Sequence, residues 1–209
     1  MRQRSLVVVS AGLSQPSSTR LLADQFAAAT RDELDRQAVT VDLRVVELRD
    51  HAHEVVDHTL TGFAPESLRP TIEAVTGADG LIAVTPIFNA SYSGLFKSFF
   101  DVLPEGSLAG RPVLLGATGG TVRHSLALEH VVRPMFTYLR SVVVPTSVFA
   151  ATDDWAGNRT AADTVEGELR GRIRRAGREL AEEMVRREPV PPADPFALSA
   201  SFEELLSNE

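Results

Sequence analysis

Short runs of Val, Ile and Leu recur at residues 6–9, 39–46, 80–85, 112–117 and 142–149, and between them the apolar positions change to helical spacing. Runs that stay apolar at successive positions have both faces covered, which is the pattern of a parallel sheet between two helical layers. The second run alternates in part and is expected nearer an edge. Helices are predicted over 18–37, 67–76, 92–102, 123–140 and 160–187, leaving 49–66 as a long connection. Five β-α repeats with right-handed crossovers leave few topologies. The expected one is an α/β three-layer sandwich around a five-stranded parallel sheet of order 2-1-3-4-5.

That order places chemistry at the carboxyl ends of strands one, three and four, beside the switch point where open α/β sheets bind ligands. The first of these loops, residues 10–20, carries Ser10, Leu13, Ser14, Ser17, Ser18 and Thr19, with Arg20 at the turn into the first helix. Ser17 or Ser18 alone would serve as an N-cap. A cluster of hydroxyls at a helix N-terminus is also a phosphate site. G-x-G-x-x-G occurs nowhere, nor does a lysine-bearing nucleotide loop, so the expected ligand carries one phosphate held by neutral donors. The second loop offers Pro86, Ile87, Phe88 and Asn89, a set able to read the edge of a flat heteroaromatic ring and flank it. Its simpler reading is a strand-to-helix turn capped by Ser91. The third holds Thr118, Gly119 and Gly120, where the chain can come close to a ligand. A phosphate at one end of a groove and a planar ring at the other fit flavin mononucleotide.

Composition narrows the chemistry further. The 209 residues suit one domain, and 28 Asp plus Glu against 21 Lys plus Arg give a net charge of -7, which argues against nucleic acid as a partner. There are no cysteines, so disulfides, thiolate metal sites and thiol nucleophiles are excluded and redox chemistry has to come from a cofactor. No apolar stretch approaches the ~20 residues of a membrane span, and the four apolar residues 6–9 are too few for a secretory leader. A cytoplasmic protein without membrane contact is expected.

The run 85–101, Thr-Pro-Ile-Phe-Asn-Ala-Ser-Tyr-Ser-Gly-Leu-Phe-Lys-Ser-Phe-Phe-Asp, resembles the signature of the NAD(P)H-dependent FMN reductases of flavodoxin-like fold. Phe88 stands where Tyr is usual there, and Phe96 where Leu is usual. Ser17, Thr19 and Leu21 to Ala23 are similar to that family's phosphate loop, with Leu13 or Ser14 at a position often occupied by Arg. Residues 118–126 and Arg133-Pro134 are similar to the actinobacterial branch that supplies reduced FMN to a separate luciferase-like monooxygenase.

The resemblance implies FMN, with NADH or NADPH as co-substrate, and a homodimer or homotetramer. It also implies that the flavin carries the hydride chemistry, so that no catalytic acid or base is required. His124 is a candidate near the flavin or phosphate, although a first-turn histidine serves packing more often. In some relatives an aromatic near the middle of the fourth helix sits in a π-bulge, and His130 matches it here, so an irregularity between Leu128 and Pro134 is expected.

Two other activities suit the same architecture: a quinone or azo-dye reductase, and a non-enzymatic FMN electron carrier docking through its acidic surface. The metal-like string His51, His53, Asp57, His58 has spacing that misses the zinc-helix pattern, so no metal is expected. The Glu- and Arg-rich stretch 166–188 reads as a solvated helix face. Residues 1–188 then form the flavin domain, and 189–209 a Pro-rich arm whose apolar residues are expected to pack on the protein's own surface, a neighbouring subunit or a partner, the subunit being favoured.

Overall fold

A computed structural model describes residues 2–155 and 165–189. The Pro-rich arm, and the first residues of the helix expected from 160, lie outside the described residues. Among the described residues there are seven strands: β1 (Arg2–Ser10), β2 (Val39–Glu47), β3 (Gly80–Phe88), β4 (Ser91–Tyr92), β5 (Pro112–Gly119), β6 (Val142–Val143) and β7 (Val148–Ala151). The helices are α1 (Ser18–Arg36), α2 (Ala52–Thr61), α3 (Arg69–Gly77), α4 (Gly94–Asp101), α5 (Arg133–Tyr138) and α6 (Val165–Arg186).

The sheet order is β2-β1-β3-β5-β6, all parallel, with β7 paired to the carboxyl half of β5. The expected 2-1-3-4-5 order is present, its fifth position divided into β6 and β7 by a break that contains Pro145, a residue with no N–H for a ladder. Period-two alternation sorts each central strand between two cores. Val7, Val9, Leu81, Ala83, Val113 and Leu115 face one helical layer, including the Phe96, Phe99, Phe100 and Phe136 rings. Leu6, Val8, Ile82, Val84 and Leu114 face α1 and α6. α1 and α6 cross closely at Gly177, where an added Cβ would stand 2.8 Å from the Cβ of Ala29.

Three expectations need correction. The long connection after β2 is a 3-10 turn (Leu48–His51) followed by α2, whose inner face rests on the single buried Val55, too little apolar patterning to announce a helix. The helix expected from Tyr92 begins at Gly94, because Ser91 and Tyr92 turn back as β4 against Phe88 and Ile87, and the N-cap is Ser93, whose Oγ accepts from the Phe96 N–H at 3.2 Å. The single helix expected over 123–140 is a 3-10 turn (Val122–His124), a π-helical turn (Leu128–Val132) and α5. His130 lies at the middle of that π turn, and the Arg133 N–H returns to the Leu128 carbonyl. Pro134 has no N–H for the His130 carbonyl four residues earlier, which interrupts the α ladder where the irregularity was expected.

Candidate active site

β1, β3 and β5 are adjacent, so their carboxyl ends bring three loops to one rim. A cavity of about 320 Å³ opens between them, lined by Leu13, Ser14, Ser18, Thr19, Pro86, Ile87, Phe88, Thr118, Gly119, Gly120 and Thr152. Among the described residues none that lines it is charged.

The polar end is built by α1. Its N-cap is Ser17, whose Oγ accepts from the Arg20 N–H at 3.2 Å, so this hydroxyl caps the helix and does not face the cavity. Ser18 and Thr19, in the first turn, do line it. The Thr19 and Thr118 hydroxyls lie 2.8 Å apart, fastening the first loop to the end of β5. Gly12 lets the loop fold tightly over the cap, since a Cβ there would stand 2.1 Å from Ser17 Oγ and 3.2 Å from Thr19 Cβ. Ser10 is buried beneath this loop with no hydrogen-bond partner for its Oγ, and it does not line the cavity.

The Arg20 side chain turns away from the cavity to Asp24 (2.8 Å) and Glu47 (2.5 Å). The hydrogen bond to Asp24 is the largest influence on its pKa; burial opposes it, and with the attraction of Asp24 and Glu47 added the pKa stands above the ordinary arginine value. A second arginine, which the sequence reading did not single out, supports the loop from outside. Arg49 donates to the Ser14 carbonyl at 3.4 Å, and its Nη1 lies 2.8 Å from the Gln15 side-chain oxygen in the amide orientation that satisfies both groups. Sheet order was the available signal: a residue just beyond β2 stands beside the loop that follows β1.

The other end is shaped by backbone. Thr85 is buried, donating to the Pro86 carbonyl at 3.0 Å and accepting from the Ser93 N–H at 3.1 Å. This holds the β3–β4 hairpin, whose two turn residues, Asn89 (φ 49°) and Ala90 (φ 66°), are both left-handed. Asn89 is therefore exposed at the hairpin tip and outside the lining, while Pro86, Ile87 and Phe88 form the wall. Gly119 packs on Phe149, whose Cζ would lie 2.9 Å from an added Cβ, whereas Gly120 faces open space. His124, half-buried at the end of its 3-10 turn, does not line the cavity. Thr152, just beyond β7, does, and was not anticipated because the divided fifth strand obscured where its carboxyl end falls.

The surroundings fit FMN. Hydroxyls of Ser14, Ser18 and Thr19 and free N–H groups of a long helix suit a phosphate, and apolar Leu13, Ile87 and Phe88 suit a flat ring. The volume lies within the ordinary range for cofactor clefts. Elsewhere, among the described residues, no group of His, Asp and Glu could hold a metal ion, and His51 to His58 enter α2 and its preceding turn. No helix of the described residues is long and apolar enough to cross a membrane.

The fold and the site thus define a flavodoxin-like α/β protein with a cleft at the switch point of its sheet. Residues 4–156 match the NADPH-dependent FMN reductase family, and the chain belongs to it. It is 34% identical to the FMN reductase (NADPH) of Pseudomonas aeruginosa over 171 residues, 82% of this chain and 89% of that one. It is 31% identical to the NADH-dependent FMN reductase SfnE of Pseudomonas putida over 172 residues, 82% and 90% of the two chains. An oxidoreductase from Corynebacterium diphtheriae superposes with a TM-score of 0.84 at 39% identity, covering 90% of this chain and all of that one. The chain is accordingly an NAD(P)H:FMN oxidoreductase.

Proposed function

We propose that FMN occupies this cavity as an exchanging substrate and leaves reduced, to be used by a separate flavin-dependent monooxygenase. Ser14, Ser18, Thr19 and the first N–H groups of α1 would hold the phosphate. Pro86, Ile87 and Phe88 would flank the ring, and N–H groups near Gly119 and Gly120 would face its pyrimidine end, where negative charge develops. Bound FMN supplies the chemistry by accepting hydride from NADH or NADPH. The tasks of the chain are to orient the flavin and leave one face open for the nicotinamide.

The observation that carries this reading is the open space at Gly120. The three large polar aromatics of the sequence stand elsewhere: Trp155 against the α1–α6 core, Tyr92 against Phe96, and Tyr138 exposed beyond the π turn. None can close over a flavin in the manner of a carrier that retains its ring. The exposed Val56 and Leu60, four residues apart on α2, and the exposed Phe63 just beyond its end support assembly as a homodimer or homotetramer.

Steady-state oxidation of NADH and NADPH with free FMN, FAD and a quinone as acceptors tests the reading. The expected result is a rate that rises with free FMN and saturates. A rate indifferent to added FMN contradicts exchange, and a quinone turned over far faster than FMN reassigns the acceptor.

A further inference from the structure

Two arginines lie against the first loop, yet neither is free to meet a phosphate. Glu47, the last residue of β2 and the register partner of Ser10, reaches both: its Oε1 accepts from Arg20 Nη1 at 2.5 Å, and its Oε2 is 3.1 Å from Arg49 Nε, an ion-pair contact without hydrogen-bond geometry. Asp24 takes the Nε of Arg20 at 2.8 Å, and Asp50 approaches Arg49 at 3.6 Å. Two guanidiniums thus face three carboxylates, and the cluster next to the phosphate loop carries no net positive charge. The Glu47 and Arg49 side chains are each 19% exposed, so this balance is only partly screened by water. A site built for tight retention of a dianion would leave such arginines unpaired, since bidentate Arg–phosphate contacts are among the strongest charge-assisted bonds.

We propose that Glu47 is a positioning residue that sets the residence time of FMN. By holding Arg20 and Arg49 in ion pairs, it leaves the phosphate to neutral hydroxyls and helix N–H groups, weak enough for reduced flavin to leave. The inference rests on the assignment of the phosphate to the first loop, and it supplies the reason that this loop releases its ligand. A role confined to tying β2 to α1 would affect stability without distinguishing a phosphorylated flavin from an unphosphorylated one.

The test is Glu47→Gln, which keeps the shape and one acceptor but removes the charge, with FMN and riboflavin titrated by flavin fluorescence and release followed by stopped flow. The expected result is FMN bound about tenfold more tightly and released correspondingly more slowly, with riboflavin affinity unchanged. Asp24→Asn, at an exposed position, is expected to act in the same direction more weakly, and it decides the matter if the Glu47 variant does not fold. FMN affinity that is unchanged or lower, or that moves together with riboflavin, overturns the role of Glu47. Wild-type protein that binds both flavins equally overturns instead the phosphate assignment on which it rests.

Discussion

The two ends of the cavity are made in different ways. At the first loop, position is held by side chains: the Ser17 cap, the Thr19–Thr118 contact and the Arg49 brace from the neighbouring connection. At the β3–β4 hairpin, position is held chiefly by backbone, in two successive left-handed residues, with one side chain, the Thr85 hydroxyl, tying the strand to the start of α4. The first design leaves hydroxyls and N–H groups suited to an anion, and the second an apolar wall and main-chain edges suited to a flat ring. A flavin with a phosphate needs both, and each end can be disturbed without the other.

Gly12→Ala strikes the polar end hardest. Its methyl group would force Ser17 Oγ out of its capping position, costing about 1 kcal/mol of stability, and would shift Ser18 and Thr19 at the helix start. FMN affinity is expected to fall about tenfold, as phosphate donors lose their aim, while riboflavin affinity falls much less. Equal losses for the two flavins would erase the distinction between the ends. A smaller change sharpens the other side. Ala90 adopts φ 66° in a two-residue hairpin turn, a conformation that costs an L-residue about 1 kcal/mol. Ala90→Gly is expected to raise stability by about 0.5–1 kcal/mol in urea unfolding. If the hairpin flanks the ring as proposed, any shift this causes in flavin binding is the same for FMN and riboflavin.

Much of this architecture was legible as sequence because the central strands are buried on both faces and therefore read as unbroken apolar runs. Val7 to Val9 and Leu81 to Val84 declare a parallel sheet, and sheet order then points to three loops. The hydroxyl cluster and Gly119-Gly120 were visible as chemistry in those loops. Less visible was everything decided by contact between distant segments. Asn89 and Ala90 make a tight hairpin without the glycine that usually marks one, so Asn89 was expected in the lining and stands outside it. Ser10 and Ser17 are hydroxyls like Ser18, yet one is buried under the loop and the other caps the helix; burial and helix phase separate them, and spacing does not. Arg49 and Thr152 come from connections that only the folded sheet places beside the cavity. The π turn around His130 was expected from resemblance to a family, and Pro134 gives it a physical cause.

The loop after β1 is proposed to hold the phosphate of the flavin. The most direct test is a fluorescence titration of the wild-type protein with FMN and with riboflavin at the same ionic strength. If Ser14, Ser18, Thr19 and the N-terminus of α1 bind the phosphate, FMN binds about tenfold or more tightly than riboflavin. Equal affinity for the two flavins would mean that this loop does not bind the phosphate.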